Sequence, residues 1–159
     1  MRVAILTIST SRAGGGPDES GDALARFAEE IGGEVAVREI VPDDPPAIEA
    51  CLRRYCDIDA CALVLTTGGT GVAPRDLTPE ATRAVIEREV PGIAEALRDA
   101  SREHTRHWLL SRGIAGIRGS TLIVNFPGNP RAIAQTSGAI AEALPHALAL
   151  IAGAPTPHA

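Results

Sequence analysis

The sequence contains no lysine, and all 15 of its basic residues are arginine. This absence excludes a Walker A phosphate loop, a Schiff-base intermediate and a lysine general base. Positive charge is also in the minority, because 20 acidic residues give a net charge of −5. An acidic chain is poorly suited to binding nucleic acid or a membrane surface, so we expect neither as a partner. A phosphorylated ligand would need a metal ion and a few local arginines.

Aromatic residues and cysteines are few. An aromatic content of 3% argues against a stacking platform for single-stranded nucleic acid. The chain has no apolar run of roughly 18 residues, and the apolar segment 2–9 is too short for the core of a signal peptide. The odd number of cysteines matches neither a disulfide framework nor a zinc site, so we predict buried thiols in a reducing cytoplasm. These cysteines are Cys51, Cys56 and Cys61.

Four apolar segments are predicted strands: 2–9, 34–41, 60–67 and 121–126. Each is followed by a loop rich in glycine or proline and by apolar residues at helical spacing. This order predicts an α/β fold with a mostly parallel central sheet, helices on both faces and a short β-hairpin before the last strand. The length of 159 residues indicates a single domain. We place that domain at 1–152 and a flexible tail at 153–159.

Polar residues mark the predicted starts of the helices. The predicted N-caps are Ser20, Asp44, Thr78 and Asn129. Pro145 is predicted to break or kink the last helix, which ends near Ile151.

Ligands of parallel α/β sheets bind outside the carboxyl ends of the strands. Four segments follow those ends here: "STSRAGGGPDESG", "PDDPP", "TGGTGVAPRD" and "PGNPRA". We therefore predict that all four converge on one crevice.

The segment "TGGTG", residues 67–71, is the strongest candidate for anion binding. Glycines allow backbone N–H groups to approach an anion closely, and threonine hydroxyls add further donors. A tight turn between strand and helix, without any ligand, would need the same glycines. The segment matches neither the P-loop nor the GxGxxG pattern. Its members are Thr67, Gly68, Gly69, Thr70 and Gly71.

Two aspartates follow predicted strands and are candidates for holding Mg²⁺ on a phosphate chain. Asp76 lies just beyond "TGGTG", and Asp43 precedes the predicted cap Asp44. Each also has a purely structural interpretation. Asp76 could pair with Arg75 or stabilise a helix N-terminus, and Asp43 could belong to an ordinary turn.

Further candidates are hydroxyls and a helix start. Ser9, Thr10 and Ser11 end the first strand and suit contact with an anion. The segment "PGNP" (Pro127, Gly128, Asn129 and Pro130) opens a helix whose free N–H groups could hold an anion, although simple capping needs the same residues. Ser111 is a candidate donor to substrate, or a solvated loop residue. His104 and His107 are predicted to be a surface pair.

Two long segments, "LTTGGTGVAPRDLTPEAT" (65–82) and "LSRGIAGIRGSTLIVNFPGNP" (110–130), resemble the MoaB/MogA family of molybdenum cofactor biosynthesis proteins. The resemblance runs over nearly the whole chain. It implies a three-layer α/β/α fold and a homotrimer or homohexamer. It also implies Mg²⁺-dependent transfer of AMP from ATP to molybdopterin with release of pyrophosphate, and contact with a molybdenum insertion enzyme.

Specific roles follow from this resemblance. Asp76 and Asp43 fall where the family has its essential acidic residues, and "TGGTG" would hold the nucleotide or pterin phosphate. Ser111 and "PGNP" would line the pterin side. Many relatives carry "SD" where this chain has Ser9 and Thr10, so a carboxylate is missing there. Two alternatives stay open: a non-catalytic molybdopterin carrier or scaffold, and a nucleotide pyrophosphatase like that of CinA-type relatives.

Overall fold

The computed structural model describes residues 1–155 and is built on one six-stranded sheet. The strands are β1 (Arg2–Ile8), β2 (Glu34–Val41), β3 (Leu63–Thr67), β4 (Arg88–Glu89), β5 (Ala115–Arg118) and β6 (Thr121–Phe126). Their spatial order is β2-β1-β3-β6-β5-β4. The first four in that order are parallel, whereas β5 runs antiparallel to both β6 and β4. The predicted mostly parallel sheet and its hairpin, β5–β6, are confirmed.

The helices are α1 (Thr10–Ala13), α2 (Glu19–Glu30), α3 (Pro45–Asp57), α4 (Thr78–Arg83), α5 (Pro91–Ser101), α6 (Pro130–Thr136), α7 (Gly138–Ala141) and α8 (Ala143–Ile151), with a 3-10 helix at Trp108–Leu110. None of those in the described residues is long and apolar enough to cross a membrane.

Strand side chains alternate between two hydrophobic clusters, as the two-residue period of a strand requires. Val3 and Ile5 of β1 join the cluster that packs under α2, α5 and the C-terminal helices. Ala4 and Leu6 of the same strand join the cluster under α3 and α4. The sheet is therefore buried on both faces, and the chain forms the expected three-layer α/β/α fold.

Two of the predicted helix caps were wrong. Asp18 caps α2 by accepting from Gly21 N at 3.0 Å, whereas Ser20 lies inside the helix. Thr78 is the first residue of α4 rather than its cap. The predicted caps Asp44 and Asn129 are confirmed.

The C-terminal helices also differ from the prediction. Pro145 does not break the last helix. It lies in the first turn of α8, where its missing N–H is tolerated, and the interruptions fall at Ser137 and Glu142. Helix α8 ends at Ile151 as predicted. Residues 156–159 of the predicted flexible tail lie outside the described residues, so that tail stays a prediction.

Candidate active site

The ends of β1, β3 and β6 are in close backbone contact at two glycines. Gly68 has φ +97°, and a Cβ there would lie 2.2 Å from the carbonyl oxygen of Ile8. A Cβ on Gly128 would lie 3.3 Å from Gly68 Cα. Only residues without a side chain allow these backbones to come so close. The ends of these three strands therefore lie together, and Asp43, next to Thr10, adds the end of β2. Of the four predicted segments, however, only those after β3 and β6 contribute residues to the cleft described below.

The carbonyls of residues 68–71 accept hydrogen bonds from Thr78 of α4 or from Arg112. Gly68 O accepts from Thr78 Oγ1 at 2.9 Å, and Gly69 O accepts from Thr78 N at 3.1 Å. Thr70 O accepts from Arg112 N at 2.8 Å, and Gly71 O accepts from Arg112 Nε at 2.7 Å. Four successive carbonyls therefore point toward α4 and Arg112.

The N–H groups of the same loop are left free. In a trans peptide the N–H of each residue points opposite to the preceding carbonyl. The N–H groups of residues 69–72 are therefore turned away from α4 and Arg112, and none of them has an acceptor within residues 1–155. Gly69, Thr70 and Gly71 line a cleft, so this row of unpaired donors is available to an anion.

The cleft is open and has a volume of about 380 Å³. It runs between the "TGGTG" loop, the 3-10 helix and the start of α6. Its lining residues are Gly69, Thr70, Gly71, Asp76, His107, Leu110, Ser111, Pro127, Gly128 and Asn129. Seven predicted site residues besides Asp76 are therefore brought to one place.

Asp76 forms one wall of this cleft. Its Oδ2 accepts from Ala73 N at 3.0 Å, and a Cβ on Gly71 would lie 2.8 Å from that oxygen. The carboxylate therefore lies against the glycine loop. An ion pair between Asp76 and Arg75, the alternative raised by the sequence, is not among those of the described residues.

Asp43 lies on the other side of the loop and is not among the residues that line the cleft. Its Oδ2 accepts from Thr10 N at 3.0 Å and from Thr10 Oγ1 at 2.8 Å. Its Oδ1 is 3.5 Å from the position of a Cβ on Gly69. The two carboxylates therefore flank the loop, with Asp43 at Gly69 and Asp76 at Gly71. Thr10 orients Asp43 with two hydrogen bonds.

The remaining predicted residues do not line the cleft. Thr67 Oγ1 donates to Pro127 O at 2.7 Å and so joins two loops. Ser9 caps α1 by accepting from Arg12 N at 3.3 Å, and its Oγ is 3.2 Å from that of Ser11. Pro130 begins α6 and does not line the cleft.

Two cleft residues were missed by the sequence analysis. His107 and Leu110 lie in the segment after α5, which folds back over the cleft and continues into the 3-10 helix. His107 was predicted to be a plain surface residue. No local pattern could have placed it, because its position depends on where α5 ends, at Ser101 rather than near residue 107.

A smaller cavity of about 120 Å³ adjoins the cleft and shares His107, Ser111 and Pro127 with it. Asn125 is one of its lining residues and is almost fully buried. Its amide donates to Thr66 Oγ1 at 2.9 Å and to Thr82 Oγ1 at 3.0 Å. The site therefore rests on a satisfied polar network rather than on a loose core.

A self-contained metal site is absent from residues 1–155, where no group of three or more His, Cys, Asp or Glu side chains could hold an ion. Asp43 and Asp76 are a pair of carboxylates without a third protein ligand. Protein-bound Mg²⁺ commonly uses one or two carboxylates and completes its shell with substrate phosphates and water. Carboxylates of this kind would hold Mg²⁺ only together with a phosphate-bearing ligand.

Comparisons with known proteins agree with this geometry. A family model described as a probable molybdopterin binding domain matches residues 4–146. A molybdopterin adenylyltransferase of Helicobacter pylori (strain J99) is 45% identical over 115 residues, which cover 72% of this chain and 65% of the relative. The molybdenum cofactor synthesis protein cinnamon of Drosophila melanogaster is 42% identical over 135 residues, covering 84% of this chain and 22% of the relative. The chain thus spans only part of the length of these curated relatives.

Among solved structures, the molybdopterin biosynthesis enzyme MoaB of Thermus thermophilus superposes with a TM-score of 0.90 at 46% identity. The superposition covers 97% of this chain and 98% of that one. The family resemblance read from the two long motifs is therefore confirmed.

Proposed function

Since the chain belongs to the family of probable molybdopterin binding domains, we propose that it acts in molybdenum cofactor biosynthesis by transferring AMP from ATP to molybdopterin. The observation that carries this proposal is the row of unpaired N–H groups at residues 69–72, flanked by the carboxylates of Asp43 and Asp76. Amides bind phosphate oxygens, and carboxylates bind the cation that accompanies a nucleotide.

The reaction needs no nucleophile from the protein. An oxygen of the terminal phosphate of molybdopterin forms a bond to the α-phosphorus of ATP. The bond between that phosphorus and the oxygen bridging to the β-phosphate breaks, and pyrophosphate leaves with the electron pair. The product carries a new phosphoanhydride. The protein has to hold two anions in line and to offset their repulsion.

The loop, the two aspartates and the pterin side each have a task in this reaction. The amides of residues 69–72 bind phosphate oxygens, and Asp43 and Asp76 would hold Mg²⁺ on the phosphate chain. When bound, the ion supplies positive charge that the acidic, lysine-free chain does not provide. Ser111 and the turn at 127–129 also line the cleft and are assigned to the pterin side.

The names of the relatives support the substrates molybdopterin and, for an adenylyl donor, ATP. The family resemblance supports a homotrimer or homohexamer and contact with a molybdenum insertion enzyme, and the three cysteines without a disulfide pattern support a reducing cytoplasm. All three stay predictions.

The proposal is tested by measuring pyrophosphate release from MgATP with and without molybdopterin. Release should need molybdopterin and should be lost in Asp76→Asn. Asp57→Asn is the matched control, because that carboxylate pairs with Arg118 at the end of α3, outside the cleft. Release by Asp76→Asn at the wild-type rate would remove Asp76 from the mechanism.

A carrier that binds molybdopterin or its adenylylated form without catalysis is the second candidate. The observation that favours it is the engagement of Asp43 Oδ2 by Thr10, which leaves one oxygen of that carboxylate for a cation. Tight molybdopterin binding without any pyrophosphate release would identify the carrier. Hydrolysis of a dinucleotide without pterin would instead indicate a pyrophosphatase.

A further inference from the structure

Arg112 holds the glycine loop and the segment after it through four separate groups. Its backbone N donates to Thr70 O, its Nε donates to Gly71 O, and its Nη2 donates to Asp76 O. Its Nη1 pairs with Glu80 in the first turn of α4. No other arginine in the part of the chain that the structure describes hydrogen-bonds to the loop or to Asp76.

We infer that Arg112 is a positioning residue for this site: it pulls the carbonyls of Gly71 and Asp76 outward, so that the loop amides and the Asp76 carboxylate face the cleft. The identity of the ligand in this inference rests on the proposed function, but the orientation of the loop does not.

The geometry explains why Arg112 acts through the loop rather than on the substrate. Nε, Nη1 and Nη2 are each already directed at a protein oxygen, and Arg112 is not among the residues that line the cleft. A guanidinium can serve three acceptors in a fixed plane, whereas a lysine ammonium is a single point donor on a flexible stem. Lysine could keep the pair with Glu80, but it could not also reach both carbonyls.

Glu80 is the anchor of the guanidinium. The hydrogen bond from Arg112 lowers the pKa of the Glu80 carboxyl below its ordinary value, so the pair is charged at neutral pH. Because Glu80 belongs to α4, the pair ties the loop to the same helix whose Thr78 holds the carbonyls of Gly68 and Gly69. Helix α4 and Arg112 together supply the hydrogen-bond donors for all four carbonyls of residues 68–71.

The test compares Arg112→Gln and Arg112→Lys with Arg118→Gln. Arg118 is a matched control, because it also joins a carboxylate, Asp57, to a backbone carbonyl, Val85 O, but lies away from the cleft. The first readout is ligand-free: the ¹⁵N–¹H NMR signals of Gly69, Thr70 and Gly71. Both Arg112 variants should shift and broaden these signals, and Arg118→Gln should leave them unchanged.

The second readout is the affinity for MgATP by calorimetry. We expect the dissociation constant to rise about tenfold or more in both Arg112 variants, with the KM for ATP rising more than kcat falls. A purely structural role would lower stability in all three variants without this difference. Unchanged amide signals and unchanged affinity in folded Arg112→Lys would overturn the inference.

The two readouts separate this inference from the proposed function. If the wild type neither binds MgATP nor releases pyrophosphate, the proposed function fails, and the amide signals still decide whether Arg112 orients the loop. If Arg112→Gln does not fold, Glu80→Gln removes the charge of the anchor and should produce the same signal shifts to a smaller extent.

Discussion

Replacing Gly68 by alanine tests the close packing on which the site depends. Gly68 has φ +97°, and the added Cβ would lie 2.2 Å from Ile8 O, a backbone atom that cannot move without shifting β1. A left-handed conformation costs a residue with a Cβ about 1–2 kcal/mol. Forcing an extra carbon into a packed position costs about 1–3 kcal/mol more. We therefore expect Gly68→Ala to lower the free energy of unfolding by about 2–5 kcal/mol.

Gly119→Ala separates these two contributions. Gly119 also has a positive φ, +53°, but a Cβ there meets nothing within 4 Å. That variant should lose only about 1–2 kcal/mol, the cost of the backbone conformation. Urea unfolding followed by circular dichroism measures both free energies at unchanged slope. Equal losses of unfolding free energy in the two variants would refute the argument that the close approach of the strand ends requires a residue without a side chain at position 68.

Three further predictions concern hydrogen bonds, charge and burial. Tyr55→Phe should lower the free energy of unfolding by about 1–2 kcal/mol, because the buried hydroxyl donates to Glu39 Oε2 at 2.6 Å; an unchanged urea midpoint would contradict this. Thr10→Asp places a second carboxylate beside Asp43, so like-charge repulsion should lower the free energy of unfolding at neutral pH, and Mg²⁺ should restore it; unchanged stability would refute the contact. Burial raises the pKa of all three thiols, Cys51, Cys56 (pKa about 11) and Cys61. A thiol reagent at pH 8 should therefore react slowly with the folded protein and fast after unfolding; equally fast reaction in both states would contradict this.

The layered fold could be predicted because its signals are local. The continuous apolar run that contains β3 and the repeated β-loop-α order are read directly from the sequence, and they determine which faces are buried. The short strand β4 could not be predicted, because its two residues have no strand pattern and pair with β5 only once the sheet exists. The strand conformation of β4 therefore depends on its tertiary pairing rather than on its own sequence.

The site likewise contains residues that the sequence could predict and residues that it could not. The glycine loop and the two aspartates carry strong local signals, since glycines and acidic residues cluster after strands. The outward pull of Arg112 on the loop carbonyls spans 41 positions of sequence from Gly71, and no spacing rule connects the two residues. The place of Thr67 also depends on a distant partner, since its hydroxyl donates to Pro127 O, 60 positions away, rather than to the cleft.

The central claim is that this cleft joins the AMP group of ATP to a pterin phosphate, and label transfer tests it most directly. Wild-type protein is incubated with molybdopterin, Mg²⁺ and ATP labelled at the α-phosphate, and the pterin products are separated and counted. The account predicts label in a pterin product, formed together with pyrophosphate and absent with Asp76→Asn. Molybdopterin that binds but stays unlabelled would contradict the adenylyl transfer and identify the protein as a carrier.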